Sequence, residues 1–432
     1  MILELVIWFL AFVSLNHLFS VFLNYWLVWN ESFLLIGVLK DLLRWGIVIF
    51  SLIVGRNYFR EYRHSFRKNW ILLFVLLGFA VWISWLYGTS SFAILMGLKY
   101  WLWYLIILMS ATFVGYVASQ KENHLFLEKF MSYFWKLVLW ILVFGLIWQV
   151  FKHLFPDLFF SFWYWPVGDF IFWEQPPLYY RTGPWWFPRL SWIFSWPNNY
   201  GYFLASMVAL FVSYSKKTFQ IRWVSRRELS FAILFLFALS LIRWLSRAAI
   251  LASVLILFSI FYSYFINRKK IFFWLLFIFF FGLSALSYYK GWSSWEHFSA
   301  TLNGVQFVFA HVFGYWLWFS GPAVHFGGKV LPENYYLQLL IDIWIVGFWL
   351  WIAFICSFFH TIKGLFSYMK KSENAHTILW LSVMKSFLFW WVALLVIGMF
   401  LHVFEDSMVN YLFFVPFGLL VWYAQYLKNN RL

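Results

Sequence analysis

The sequence predicts an all-α polytopic membrane protein with about 12 transmembrane helices, two long extracytoplasmic loops and both termini cytoplasmic. Three observations predict it. Of 432 residues, 64% are hydrophobic and 11% charged, against about a quarter charged in a soluble domain, so polar residues are too few to coat a soluble core. Apolar runs long enough to cross a bilayer, about 20 residues each, recur from end to end. The basic residues gather in short clusters between those runs, as cytoplasmic loops do.

The mean hydropathy of +0.77 fits the same reading. Counting about 20 residues per span, helices are expected near 2–26, 33–55, 70–88, 91–118, 133–154, 197–214, 229–242, 246–266, 271–289, 336–358, 377–401 and 407–427. The first, "MILELVIWFLAFVSLNHLF", has no basic leader and no clear cleavage site, so it reads as an uncleaved helix.

Charge sets the orientation. The loops "RNYFREYRHSFRKN", "SQKENHLFLEK", "SKKTFQIRWVSRRE", "NRKK", "TIKGLFSYMKKSENAH" and "KNNRL" hold 20 of the 32 Lys and Arg residues. The opposite side holds seven, Lys152, Arg181, Arg189, Arg243, Arg247, Lys290 and Lys329, despite longer loops. That bias places both ends inside, and it accounts for the net charge of +16 without nucleic acid. The single cysteine, Cys356, rules out a disulfide within the chain and a thiolate metal cage.

One transmembrane domain, 1–432, carries two outer segments too long to be simple connectors, 155–196 and 290–335, the second expected to hold short helices. Both are rich in Trp, Phe and Tyr, which settle at membrane interfaces; simple anchoring accounts for most of the 33 tryptophans.

Topology leaves some charges unexplained. Arg189 precedes "SWIFSWPNNYG", where Pro197 can open a helix with Asn198 and Asn199 in its first turn. Arg243 and Arg247 stand at the outer junction of two helices. Guanidinium grips phosphate oxygens bidentately, so converging arginines suit a pyrophosphate; snorkelling to lipid headgroups is the plainer reading. Glu333 follows Pro332 at the start of a long apolar helix, either complementing the helix dipole or acting as a general base. Within the membrane, Lys40, Asp41 and Arg44 share one helix, while Lys99, Asp342 and Lys385 are single charges, with Asp342 and Lys385 a possible pair. Internal pairing and a proton relay both explain such charges. No HxxxH or HExxH spacing, Walker motif or GxSxG occurs, so no metal and no cofactor is expected.

Three stretches carry a family resemblance: "RLSWIFSWPNNYGYFL" (189–204), "LSRAAILASVLIL" (245–257), and an outer loop running from "SSWEHFSATLNGVQFVF" through "GYWLW" to "PENYYLQLLIDIWIVGFWLW" (293–351). In this order the chain resembles the O-antigen ligase/polymerase superfamily, membrane glycosyltransferases acting on undecaprenyl-pyrophosphate-linked glycans. The resemblance covers about a third of the chain directly. It implies that Arg189 and Arg247 hold the donor pyrophosphate and that the loop ending in Glu333 and Asn334 closes the catalytic cavity. Arg181, Arg243, Asn199, His297, Asn334 and Tyr335 complete the candidate substrate-binding set. The ligase branch has His where this chain has Glu333, so Glu333 looks more like the polymerase branch. The family's later glycine stands as Gly347, and the position three before it is Trp344.

The expected function is therefore polymerisation of lipid-linked repeat units by metal-independent, inverting glycosyl transfer at the outer face of the bacterial inner membrane. Its partners would be the undecaprenyl-pyrophosphate-linked donor, a glycan acceptor, membrane lipids and a chain-length regulator. Two alternatives remain open: a ligase delivering the glycan to lipid A core or protein, and a lipid-linked sugar flippase or secondary transporter using Lys40, Asp41, Lys99 and Asp342.

Overall fold

A computed structural model describes residues 2–27, 32–122, 126–162, 164–167, 177–179, 203, 291–310, 314–315, 317, 319–320, 330, 332, 334–370, 375–399, 404 and 407–429. The helices expected at 197–214, 229–242, 246–266 and 271–289 lie outside these residues, apart from Phe203.

The described chain is mostly helical. In order come α1 (Ile2–Ser14), α2 (Asn16–Leu27), α3 (Ser32–Gly55), a 3-10 turn (Arg56–Tyr58), α4 (Phe59–Leu86), α5 (Ser91–Trp101), α6 (Trp103–Glu122), α7 (Phe126–Leu154) and the short α8 (Pro156–Ser161). Two three-residue strands follow, β1 (Trp165–Val167) and β2 (Pro177–Tyr179), and then α9 (Gly291–Ala310), α10 (Tyr335–Lys370), α11 (Ala375–Ile397) and α12 (Ser407–Asn429). By length and composition three described helices can cross a membrane, at Ser65–Leu86, Lys129–Leu154 and Tyr335–Lys370. A fourth span results if α5 and α6 count as one. Their outward faces are apolar, with Phe74 and Trp85 on α4 and Trp349 on α10 well exposed. A protein in water rarely shows contiguous apolar surface of this kind; in a bilayer it is the natural exterior. This is a membrane protein.

Several expected elements differ from those observed. The expected helix 2–26 is broken at Leu15 into α1 and α2. The Ser14 hydroxyl donates back to Leu10 O at 2.8 Å, a local bond that bends helices. The basic stretch expected as a loop at 56–69 is largely helical, because Tyr62 and Phe66 are fully buried and pin it. Tyr62 Oη lies 2.8 Å from Thr112 Oγ1 and accepts from Trp70 Nε1 at 2.9 Å. The helix expected as one piece at 91–118 is two, α5 and α6, bent by 68° at Leu102. The all-helical expectation also misses β1 and β2, which pair in parallel within the first outer loop, Trp165 opposite Pro177 and Val167 opposite Tyr179. Behind them Tyr164, Leu178 and Phe159 form a small apolar cluster with Val21.

α6 and α12 approach closely through small residues. A Cβ on Gly418 would lie 2.6 Å from Ala111 Cβ and 2.7 Å from Leu108 O, and one on Gly115 would lie 3.2 Å from Leu419 Cα. Small residues let helix backbones touch where water supplies no driving force between them. α9 packs on the entry to α10 in the same way, Gly304 against the Pro332 ring.

Candidate functional site

The second outer loop is anchored at its end by α10. Asn334 is the N-cap: its Oδ1 accepts from Tyr336 N at 2.9 Å and Leu337 N at 3.1 Å, satisfying donors that no helical carbonyl reaches. Its Nδ2 donates to Met399 O at 2.8 Å, past the end of α11. Tyr335 N donates to Gly398 O at 2.8 Å. The Tyr335 side chain is wholly buried, and its hydroxyl donates to Trp101 O at 2.7 Å. That carbonyl lies at the α5–α6 break, where the regular helical ladder is interrupted.

α10 has its own break. Trp344 has φ 65° and ψ 170°, a region that L-residues other than glycine seldom occupy. The interruption leaves Ile341 O to accept from Tyr315 N at 2.7 Å, while Trp344 Nε1 donates to Tyr315 O at 3.1 Å. Asp342, fully buried, accepts from Trp101 Nε1 at 2.7 Å and from Ser320 N at 3.0 Å. Ser84 Oγ on α4 accepts from Leu317 N at 3.0 Å. Loop residues 315–320 are thus held against α4 and α10 by side chains and by the carbonyl that the break frees. Non-helical backbone is tolerated at such depth only when protein satisfies it.

A second polar cluster lies where α3, α5, α6 and α12 meet. Lys99 Nζ is 3.1 Å from Asp41 Oδ2, and the Tyr411 hydroxyl donates to Asp41 Oδ1 at 3.0 Å. Lys40 and Arg44 are almost entirely buried beside them.

These positions bear unevenly on the sequence-derived candidates. Arg181, Arg189, Asn199, Arg243, Arg247 and Glu333 lie outside the described residues. His297 falls on α9, with its side chain outside the described part. Asn334 and Tyr335 are described, and both hold the start of α10 in place. The suggested pair of Asp342 with Lys385 does not form: Asp342 is buried on Trp101 and Ser320, and Lys385 is exposed. The partner role of Trp101 was not legible, since one indole among 33 tryptophans carries no distinguishing signal.

Among the described residues no three His, Cys, Asp or Glu side chains gather as a metal site would require. In the first outer loop, burial pushes the Tyr164 hydroxyl above the ordinary tyrosine range, and its ring lies 4.8 Å from Lys152 Nζ. No family model, curated protein or solved structure matches this chain.

Proposed function

We propose that this chain is a membrane glycosyltransferase of the O-antigen polymerase kind, joining undecaprenyl-pyrophosphate-linked repeat units at the outer face of the bacterial inner membrane. In this reading it has twelve spans with both termini cytoplasmic. The observation that carries the reading is the ordered set of motifs around Arg189, Arg247 and Glu333–Gly347. The anchoring of loop residues 315–320 and of Asn334 against the bundle supports it, because a loop that closes a cavity needs a fixed frame.

The chemistry is a single displacement. The acceptor hydroxyl oxygen attacks the anomeric carbon, the bond from that carbon to the diphosphate oxygen breaks, and undecaprenyl pyrophosphate leaves with the electron pair. Arg189 and Arg247 neutralise the departing diphosphate, and Glu333 takes the acceptor proton. His297 is the second candidate for that proton. The anomeric centre inverts, and the arginines do the neutralising that a metal would otherwise supply.

One observation favours a transporter instead. Two interrupted helices, α5–α6 and α10, meet at Trp101 and Asp342, and paired helix breaks around buried charge are how many secondary transporters build their sites. The deciding experiment is glycan chain length in a host lacking its own polymerase, complemented with the wild type or with Arg247→Ala. A ladder that is lost in an expressed, membrane-inserted variant supports the polymerase. A ladder that survives the substitution removes Arg247 from the mechanism and returns the weight to transport.

A further inference from the structure

Arg44 has no hydrogen-bond partner. It is 4% exposed, and none of its three guanidinium nitrogens reaches an acceptor. A buried cation without acceptors is costly unless something compensates it. Part of the compensation is visible. The guanidinium carbon lies 3.9 Å from the Trp103 ring centroid and 4.5 Å from that of Trp45, in the corner of two indoles standing 77° apart. Cation–π attraction acts on the face of the guanidinium and leaves its N–H edges unused.

The neighbouring carboxylate does not fill that gap. Asp41 attracts Arg44 through space, but its oxygens already take Lys99 Nζ and the Tyr411 hydroxyl. Lys40, 3% exposed, lies 5.7 Å from the Tyr411 ring centroid. The cluster therefore holds three cations, Lys40, Arg44 and Lys99, against one carboxylate. It is accessible from one edge, where Trp45 is 40% exposed and the Lys99 and Asp41 side chains are 28% and 20% exposed.

We propose that Arg44, with Lys99 and Lys40, forms an anion site for a phosphate group between α3, α5, α6 and α12, with Trp45 as its outer wall. A phosphate oxygen pair matches the unused guanidinium fork, and an added anion would balance the excess positive charge. The group belongs either to an anionic lipid headgroup or to a soluble phosphate. The site shares no residue with those assigned to the donor diphosphate, so it stands or falls apart from the polymerase reading.

The test is binding by the purified full chain, read as a thermal shift and by direct titration. Inorganic phosphate is added in a neutral detergent, and phosphatidylglycerol is compared with phosphatidylcholine in nanodiscs. Stabilisation by inorganic phosphate alone identifies a soluble-anion site. Stabilisation by phosphatidylglycerol over phosphatidylcholine, without a phosphate response, identifies a lipid site. Arg44→Gln should weaken the response at least about tenfold, the loss of a charge-assisted pair. Lys385→Gln, at an exposed cation elsewhere, should leave it unchanged. If Arg44→Gln does not fold, Arg44→Lys and Lys99→Gln carry the test, each expected to weaken binding several-fold. No response to any probe, or an equal response in folded variants, overturns the proposal.

Discussion

The Trp101 indole donates to the Asp342 carboxylate at 2.7 Å, joining the break between α5 and α6 to the turn of α10 just before its own break. Each interruption leaves backbone groups that the helical ladder no longer satisfies. Trp101 O is answered by Tyr335 and Ile341 O by Tyr315 N, so the two breaks share one network.

That network predicts an order of stability. Asp342→Ala strands the Trp101 and Ser320 donors, at about 1–3 kcal/mol for each donor left buried without an acceptor. Asp342→Asn keeps an amide oxygen for one of them and should unfold at a temperature between wild type and Asp342→Ala. Thermal unfolding in detergent checks the order; equal midpoints for the two variants would show that the hydrogen bonds contribute little.

Trp344 holds a glycine-like conformation while its ring packs edge-on against Tyr87 and Phe79. Both Trp344→Ala and Trp344→Gly lose the ring and its bond to Tyr315 O. Only glycine relieves the backbone, which predicts that Trp344→Gly is more stable than Trp344→Ala by about 1–3 kcal/mol. Chemical denaturation of the two variants side by side measures the difference.

Asn334 separates a structural role from substrate contact. Asn334→Ala loses the N-cap, worth about 0.5–2 kcal/mol, and the bond to Met399 O. Asn334→Asp retains the cap acceptor and should recover most of the thermal stability. If Asn334 also contacts glycan, the ladder shortens in Asn334→Asp at unchanged stability; if it serves only α10, stability and ladder length move together.

Gly418→Val should be among the most damaging single substitutions in the described core. Its side chain meets Ala111 Cβ and the backbone at Leu108 O and Thr112 N, the last at 3.0 Å from a Cβ. Backbone cannot rotate away as a flexible side chain can. Loss of folded protein in fluorescence-detected size exclusion is the expected result, with Gly46→Ala as the benign control because nothing lies within 4 Å of a Cβ there.

Much of the architecture was legible in local composition. Runs such as 133–154 and 336–358 sit within α7 and α10 because apolar length alone demands a helix where backbone must satisfy itself. Boundaries near charge were less legible. Residues 59–69 form helix because Tyr62 and Phe66 find buried partners on α6 and α12, and no local pattern announces those partners. The breaks at Leu102 and Trp344 carry no Gly or Pro, so propensity predicts continuous helix through both.

The sequence by itself determined that this is an apolar, helix-built membrane chain with its charge biased to one set of loops. It also supplied the arginine, asparagine and glutamate motifs behind the proposed transferase. Those properties depend on residues near one another in the chain. Which buried charge meets which partner was decided by tertiary structure: Asp342 with Trp101 rather than Lys385, Asp41 with Lys99, and Arg44 with two indoles and no acceptor. The reason is geometric, since these pairs come from helices far apart in sequence. Their distances are set by close approaches such as Gly418 to Ala111, which exist only once the bundle has packed.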